Sequence, residues 1–227
     1  MSDSEQFKAV GVDVGGTFTD LILLDPVAGD IRVAKVPTTT DNQAFGVLAA
    51  LAETGVPLAE AGALATADRR GRPSVRFVLL KDASRGAFTF YTNSQSRKGR
   101  ELAANPWASL AFYWDASGRQ VRIEGRVEEV SAAASDRYWN ARPRQSQLAS
   151  LASRQSRVLA NRAELLSEVK RLECLYKGRA VPRSARWRGY RLKAREIEFW
   201  TRHEPRLHHR ELFVLKNGRW TSRILAP

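Results

Sequence analysis

Cationic and hydroxyl side chains recur from residue 76 onward in combinations that suit phosphate esters. Segment 94–100, Ser-Gln-Ser-Arg-Lys-Gly-Arg, is predicted to open a helix, where unpaired backbone N–H groups and the helix dipole favour an anion. Arg97 and Lys98 add two full positive charges there. On these residues alone, a solvated basic first turn remains the alternative to a phosphate site.

A second candidate anion site combines a phenol, a guanidinium and a hydroxyl group. Tyr138 and Arg142 lie four residues apart on a predicted helix and therefore share one face. Pro143 ends that helix, which lets Ser146 fold back toward them. Guanidinium groups bind phosphate through paired hydrogen bonds, whereas simple packing on a helix surface is the alternative for such a pair.

The three histidines raise the question of a metal site, because His203, His208 and His209 fall in one short stretch. Adjacent residues on a strand point to opposite faces. In addition, no cysteine, aspartate or second histidine pair lies nearby at ligand spacing. The sequence therefore predicts no metal centre.

The elements that must position these side chains are mainly β-strands, with turn residues between them. Closely spaced strands of this kind favour a barrel or a sandwich. Strands are predicted at 63–67, 74–81, 87–92, 109–114, 120–130, 189–194 and 197–200, before a closing hairpin of 212–215 and 220–225. Asn217-Gly218 supplies the turn of that hairpin, since both residue types tolerate positive φ.

Three helices interrupt these strands, at 94–105, 132–141 and 161–176. The third has Asn161 as its N-cap and an apolar face of Leu165, Leu166, Val169 and Leu172. Before them, a strand–turn–strand unit at 9–24, a strand at 31–36 and a helix at 41–55 lead to a junction at 56–62.

The chain carries a formal net charge of +13, which suits an anionic partner. The arginines are spread through almost every segment after Arg69 rather than gathered in a basic arm, so specific nucleic-acid binding is not expected. No apolar run is long enough to span a membrane, and no secretory signal pattern is present, which predicts a cytoplasmic protein. Cys174, the single cysteine, is interpreted as a packing residue.

From about residue 63 to residue 227, these motifs resemble the pyridoxamine 5'-phosphate oxidase family. The resemblance implies a mainly β protein with helices, an FMN-binding split barrel, preceded by a short β-hairpin and helix fragment. It also implies a homodimer with FMN at the interface. The expected FMN-binding residues are Arg76, Tyr91, Thr92, Arg97, Lys98, Gln120, Gln155, Ser156, Trp200 and Arg210.

The same resemblance implies a second group of residues that binds a phosphorylated vitamin B6 substrate. Lys81, Tyr138, Arg142 and Ser146 would hold its phosphate, and Arg206 and His208 would orient it as the catalytic pair. The implied reaction oxidises pyridoxamine or pyridoxine 5'-phosphate to pyridoxal 5'-phosphate, with dioxygen as acceptor and hydrogen peroxide as product.

The sequence departs from the family pattern at three places. Residues 148–151 read Leu-Ala-Ser-Leu where the family commonly has Ile-Gly-Ala-Trp, so an aromatic wall is missing. His209 stands where an aspartate is usual, which is expected to leave Arg206 or Arg210 less well oriented. The usual N-terminal helix and lid are replaced by unrelated sequence.

That unrelated sequence, about residues 1–60, is similar to the start of the hydantoinase and oxoprolinase N-terminal domain. The likeness rests on segment 11–20, Gly-Val-Asp-Val-Gly-Gly-Thr-Phe-Thr-Asp, a glycine hairpin of the type that approaches phosphate. The remainder of such an ATPase fold is absent from the sequence. Two domains are therefore expected, a hydantoinase-like fragment at 1–60 and the oxidase domain at 61–227.

Three other interpretations remain open at this stage. A related split-barrel oxidase could act on another aromatic substrate, as the phenazine-biosynthesis enzymes do. A chimeric or degenerate protein could bind flavin without activity. Binding to nucleic acid through bulk charge would be salt-sensitive and without sequence preference.

Overall fold

The computed structural model describes residues 61–227, with gaps at 85 and 115–117, and three strands in the preceding segment. These strands are β1 (Ala9–Val14), β2 (Phe18–Leu24) and β3 (Ile31–Pro37), which pair antiparallel in that order. They confirm the predicted strands of the N-terminal segment. The glycine turn at 15–16 and the helix predicted at 41–55 lie outside the described residues.

A nine-stranded antiparallel sheet forms the larger part of the described structure. Its main path runs β12-β11-β10-β9-β8-β4-β5, while β7 pairs with β10 and β6 pairs with β7. The strands are β4 (Ala61–Ala67), β5 (Pro73–Leu79), β6 (Asp82–Ser84), β7 (Ala87–Asn93), β8 (Trp107–Trp114), β9 (Arg119–Glu129), β10 (Trp187–Thr201), β11 (His209–Lys216) and β12 (Arg219–Ile224).

Strand β10 organises the sheet, because its 15 residues pair with β7, β9 and β11. Two separate strands at 189–194 and 197–200 were predicted here, and that prediction is wrong. The register with β9 shifts between Ala194 and Glu196, so an irregularity resembling a bulge bends one continuous strand instead of ending it.

A glycine makes this bend possible. A Cβ atom on Gly125, which pairs with Ala194, would lie 1.9 Å from the backbone oxygen of Lys193. Real Cβ atoms do not approach a carbonyl oxygen so closely, so only glycine fits without movement of the backbone.

Two apolar cores stabilise the described part of the chain. The larger is built from alternating inward residues of the sheet, including Leu64, Phe90, Leu110, Leu192 and Ile197, each fully buried. The smaller lies beneath the helices and gathers Trp139, Leu148, Leu172, Val181 and Trp187.

Four helices occur among the described residues: α1 (Arg97–Ala104), α2 (Ala132–Ala141), α3 (Arg144–Ala152) and α4 (Arg162–Leu175). The bounds of α2 and the Asn161 cap of α4 confirm the prediction. Helix α1 begins later than predicted, because Ser96 rather than Ser94 caps it. Helix α3 was not predicted, since it follows Pro143 directly and its mixed composition gives no clear apolar face.

Two expectations for α4 are wrong. Leu166 is exposed rather than packed, because the apolar contacts of this helix are made by Leu172 and Val169. Cys174 is also exposed and does not serve as a packing residue.

The Asn217-Gly218 turn is confirmed, with φ of 51° and 78° at the two residues. None of the helices in the described ranges has the length and apolarity that crossing a bilayer requires.

The close approach at Gly125 gives a stability prediction. Gly125→Ala is expected to lower the free energy of unfolding by about 3 kcal/mol or more, because the added methyl group must displace backbone in the core of the sheet. Urea denaturation followed by tryptophan fluorescence measures this difference.

Gly178→Ala is the control, since Gly178 faces open space and favours glycine for a different reason, its φ of 71°. Its expected cost is about 1 kcal/mol, from the left-handed backbone alone. Equal losses in the two variants would contradict the steric explanation for Gly125.

Candidate functional site

The start of α1 is a tightly packed, capped turn. Ser96 is fully buried, and its hydroxyl accepts a hydrogen bond from the Gly99 amide at 3.2 Å. A Cβ on Gly99 would lie 2.3 Å from the Ser94 carbonyl oxygen, so this turn requires glycine. The Arg97 amide donates to the Ser156 hydroxyl at 3.1 Å, which brings the loop after α3 to the beginning of the helix.

A buried carboxylate lies one turn further along α1. Glu101 is 5 % exposed and accepts hydrogen bonds from Thr66 (2.5 Å), Ser74 (2.6 Å) and Arg97 (2.8 Å), with Arg76 at 3.3 Å. Burial by itself would raise the pKa of Glu101, but the hydrogen bonds outweigh it and lower the pKa to about 2. Glu101 is therefore charged throughout the physiological range.

Arg97 and Arg76 contact Glu101 through different nitrogen atoms. Arg97 contacts it through Nε, so the two terminal nitrogens of this exposed guanidinium are not used in that contact. The terminal nitrogens of Arg76 donate within the protein, to Leu64 O, Thr66, Ser74 and Glu101. The terminal nitrogens of Arg76 are thus engaged within the protein, whereas Glu101 contacts Arg97 through Nε alone.

Lys98 adds a buried cation to the same turn. It is 7 % exposed, and its Nζ donates to the Thr92 hydroxyl at 3.3 Å, while that hydroxyl donates to Gln155 Oε1 at 3.2 Å. Burial, followed by the nearby Arg76, lowers the pKa of Lys98, and Glu101 acts in the opposite direction. An anion bound here would stabilise the charged form of Lys98. The structure therefore brings together Arg97, Lys98, Thr92, Gln155 and Ser156, as predicted from the family likeness.

An aromatic stack links this turn to the second candidate site. The Tyr91 ring lies 4.2 Å from that of Tyr138 and 5.1 Å from that of Trp187, in near-parallel planes. Lys81 Nζ lies 5.9 Å from the Tyr138 ring centroid, and Arg142 Cζ lies 4.9 Å from that of Trp187. Of the residues predicted to bind substrate phosphate, Tyr138 is therefore part of this stack, and Lys81 and Arg142 lie beside its rings.

The hydrogen bond that the structure gives the Arg142 side chain is not made to Ser146. The Arg142 Nη1 atom donates instead to Ser150 Oγ, at 2.8 Å. The reason is α3, which the sequence did not predict: Ser146 and Ser150 are one turn apart on the same face of this helix, and the guanidinium reaches the later hydroxyl. Ser146 is half-buried on that face.

A third cluster lies where β9, β10 and β11 run side by side. Trp200 is paired in register with Gln120 on one side and with Arg210 on the other. A cavity of about 260 Å³ is lined by these residues together with Arg122, Glu198 and Pro227. The three residues predicted to contact a flavin from these strands are therefore adjacent, and they were placed together by strand register.

Glu198 is a buried carboxylate that balances the positive charges of Arg122 and Arg210 in this cavity. It is 3 % exposed and accepts from Arg122 Nη2 at 2.5 Å and from Arg210 Nε at 2.7 Å. Burial opposes ionisation, yet the hydrogen bond from Arg210 and the charge of Arg122 lower the pKa of Glu198. Arg210 also donates to Ala226 O at 2.9 Å, so it is held in place without an aspartate at position 209. The poorer orientation expected for Arg206 or Arg210 therefore does not apply to Arg210.

Of the predicted catalytic pair, His208 lies beside Trp200, which lines this cavity. The His208 ring lies 4.5 Å from the Trp200 ring, and its Nδ1 accepts from the His203 amide at 3.2 Å. Arg206 is exposed and adopts a φ of 82°.

His208 precedes β11 rather than lying in it, so the argument that adjacent strand residues point to opposite faces does not apply to His208 and His209. Within the described residues, no group of His, Cys, Asp and Glu side chains could hold a metal ion.

Four residues that shape these clusters were not identified from the sequence: Glu101, Ser150, Trp187 and Glu198. The spacing of Arg97 and Glu101 was a usable signal, because residues four apart on a helix interact. The other three depend on contacts between distant segments or on the unpredicted helix α3.

The hydrogen bonds to Glu101 give a prediction about how the free energy of unfolding depends on pH. Because its folded pKa of about 2 lies below the ordinary value of 4.5, its ionisation stabilises the fold above pH 4.5 and ceases to do so as the pH falls toward 2. Glu101→Gln is expected to lower the free energy of unfolding by about 3 kcal/mol at pH 7, and by less than half as much at pH 3. Urea denaturation at the two pH values measures both differences.

Glu204→Gln is a suitable control, since Glu204 is exposed and its substitution is expected to change the free energy of unfolding by less than about 0.5 kcal/mol. If Glu101→Gln lowers the free energy of unfolding equally at pH 3 and pH 7, the loss comes from the shape of the side chain and not from its charge.

Comparison with known proteins identifies the family to which this sequence is related. A family model described as pyridoxamine 5'-phosphate oxidase matches residues 48–176, and one for the pyridoxine 5'-phosphate oxidase C-terminal dimerisation region matches residues 187–227. A model for the hydantoinase/oxoprolinase N-terminal region matches residues 9–67. The first and third matches overlap, and β4 belongs to the large sheet, so the domain boundary at residue 60 stays a prediction.

Relatives of known name cover most of this sequence. The pyridoxine/pyridoxamine 5'-phosphate oxidase of Myxococcus xanthus is 48% identical over 164 residues, which are 72% of this chain and 80% of that protein. The enzyme of the same name from Anaeromyxobacter dehalogenans is 47% identical over 169 residues, 74% of this chain and 85% of that protein.

Solved structures extend the likeness to the fold. PhzG from Burkholderia lata, in complex with tetrahydrophenazine-1-carboxylic acid, is 36% identical with a TM-score of 0.72, covering 80% of this chain and 89% of that one. A pyridoxamine 5'-phosphate oxidase-related, FMN-binding protein from Nostoc punctiforme is 18% identical with a TM-score of 0.61, covering 80% and 95%, and supports the fold alone. This chain therefore belongs to the pyridoxamine 5'-phosphate oxidase family and has its split-barrel fold.

Proposed function

We propose that this protein is an FMN-dependent oxidase that converts pyridoxamine or pyridoxine 5'-phosphate to pyridoxal 5'-phosphate, using dioxygen and releasing hydrogen peroxide. The observation that carries the proposal is the presence of two cationic clusters joined by one aromatic stack. One cluster suits the phosphate of the cofactor, and the other suits the phosphate of the substrate. The named relatives support the same reaction.

The turn at the start of α1 fits the terminal phosphate of FMN. Arg97 presents a guanidinium that Glu101 holds through Nε alone, and the lowered pKa of buried Lys98 marks a cation without full compensation. Thr92, Gln155 and Ser156 add hydroxyl and amide groups on the other side of the turn. When bound, FMN supplies the chemistry of accepting a hydride and passing two electrons to dioxygen.

The isoalloxazine ring is assigned to the cavity between β9, β10 and β11. Gln120 offers hydrogen bonds, Trp200 offers an aromatic wall, and Arg210 is fixed by Glu198. We assign this cluster to the site of the neighbouring protomer in a homodimer. The match of residues 187–227 to a dimerisation region supports that arrangement, because it contains both Trp200 and Arg210.

The substrate phosphate is assigned to Lys81, Tyr138, Arg142 and Ser146. These residues would fix one end of the substrate and so lower the entropic cost of aligning its reacting carbon. Arg206 and His208 would orient the other end, since His208 lies against Trp200, which lines the flavin cavity. The chain's own role is thus to bind and align, while the cofactor carries the redox step.

A phenazine-type oxidase is the second candidate, and two observations favour it. The structural likeness to PhzG is extensive, and Leu151 replaces the aromatic residue that the family pattern leads one to expect. Leu151 packs against the smaller core, as do Tyr91 and Tyr138 of the aromatic stack. Turnover of pyridoxine 5'-phosphate compared with a tricyclic dihydrophenazine carboxylate distinguishes the two functions.

The phosphate clamp gives a kinetic prediction. Arg142→Ala is expected to raise the KM for pyridoxine 5'-phosphate at least about 50-fold, because a charge-assisted, paired hydrogen bond to phosphate is lost. The affinity for FMN should remain unchanged. Peroxide release under steady-state conditions measures KM, and flavin fluorescence measures FMN binding.

Arg171→Ala serves as the control, because Arg171 forms a surface ion pair with Glu168 on α4. Its kinetics should match the unsubstituted protein. Two results would contradict the proposal: no turnover of either B6 phosphate by the FMN-loaded protein, or normal kinetics in Arg142→Ala.

A further inference from the structure

Ser150 hydrogen-bonds the clamp arginine, Arg142, from the next helix. It lies on α3, is half-buried, and accepts a hydrogen bond from Arg142 Nη1 at 2.8 Å. Arg142 itself is the C-cap of α2, where its backbone is already extended. The contact therefore joins the end of one helix to the last turn of the next.

Aromatic packing alone leaves Arg142 incompletely positioned. Its Cζ atom lies 5.3 Å from the Trp139 ring centroid and 4.9 Å from that of Trp187, and both tryptophans are buried. Such contacts are broad in energy and allow a guanidinium to turn within its own plane. A hydrogen bond is directional, so the Ser150 hydroxyl removes this remaining freedom.

The chemical nature of the anchor matters as much as its position. Burial lowers the pKa of Arg142, and the nearby Tyr138 acts in the opposite direction, with no carboxylate among the causes. In the part of the chain that the structure describes, no ion pair involves Arg142. A neutral hydroxyl therefore orients the guanidinium without cancelling its charge, whereas a carboxylate at that place would compete with a bound phosphate.

We propose that Ser150 is a positioning residue that sets the preference of this protein for phosphorylated over unphosphorylated B6 vitamers. It does so by holding the Arg142 guanidinium in the orientation that phosphate needs, at the cost of one of its five N–H donors. The inference rests on the proposed function, because it takes Arg142 as the residue that binds the substrate phosphate.

The test compares two ligands that differ only in the phosphate group. Pyridoxal 5'-phosphate and pyridoxal are each titrated into the FMN-loaded protein by equilibrium dialysis, so that no turnover is needed. Ser150→Ala is expected to raise the Kd for pyridoxal 5'-phosphate about five-fold, the size of one lost hydrogen bond, and to leave the Kd for pyridoxal unchanged. Ser150→Thr keeps the hydroxyl and should restore the affinity. Ser167→Ala, an exposed serine on α4, is the matched control and should change neither Kd.

Each outcome has a distinct meaning. A protein without substitutions that binds the two ligands equally well contradicts the proposed function, and this inference with it. A phosphate-selective protein whose selectivity survives Ser150→Ala overturns the inference alone. Equal weakening of both ligands in Ser150→Ala, or failure of Ser150→Thr to restore affinity, assigns the effect to packing and also overturns it.

Discussion

The buried charge of Glu101 is the constraint on which the cofactor end of the site depends. A carboxylate at 5 % exposure is tolerated because hydroxyl groups from β4 and β5 and guanidinium groups from β5 and α1 all donate to it. Those donors come from three elements, so a single interaction fixes α1 against the edge of the sheet. The same interaction orients Arg97 and leaves Lys98 as the buried cation beside Thr92. Stability and anion binding therefore share one set of contacts.

In the two remaining clusters as well, the groups around each arginine determine how much of its positive charge stays available. At the clamp, stacked aromatic rings hold Arg142 without neutralising it, so its charge stays available to an anion. In the cavity proposed to hold the flavin ring, Glu198 neutralises Arg122 and Arg210 in part, which suits contact with an uncharged ring better than with a phosphate. Among these arginines, Arg142 has no carboxylate partner in the described structure, whereas Arg97, Arg122 and Arg210 each form an ion pair with one. These local pairings are a more specific signal than the net charge, which fits several kinds of anionic partner.

Local chemistry predicted those parts of the structure that depend on neighbouring residues. The Asn217-Gly218 turn, the Asn161 cap and the bounds of α2 follow from turn and capping preferences. Helix α3 and the continuous strand β10 could not be predicted, because the first has a mixed composition and the second continues through an irregularity that Gly125 permits. The site shows the same division. Arg97 and Lys98 were identified from charge at a helix start, whereas Ser150 and Glu198 act across 8 and 12 residues or more, at distances that only tertiary structure creates.

The most direct test of the account is the difference in affinity between FMN and riboflavin, which differ only in the terminal phosphate. Quenching of flavin fluorescence on titration with the apoprotein gives both dissociation constants. If Arg97, Lys98 and the start of α1 bind that phosphate, FMN should bind at least about 100-fold more tightly than riboflavin, since two or more charge-assisted hydrogen bonds are gained. Equal affinities for the two flavins would contradict the account, because the anion site at the start of α1 would then contribute nothing to cofactor binding.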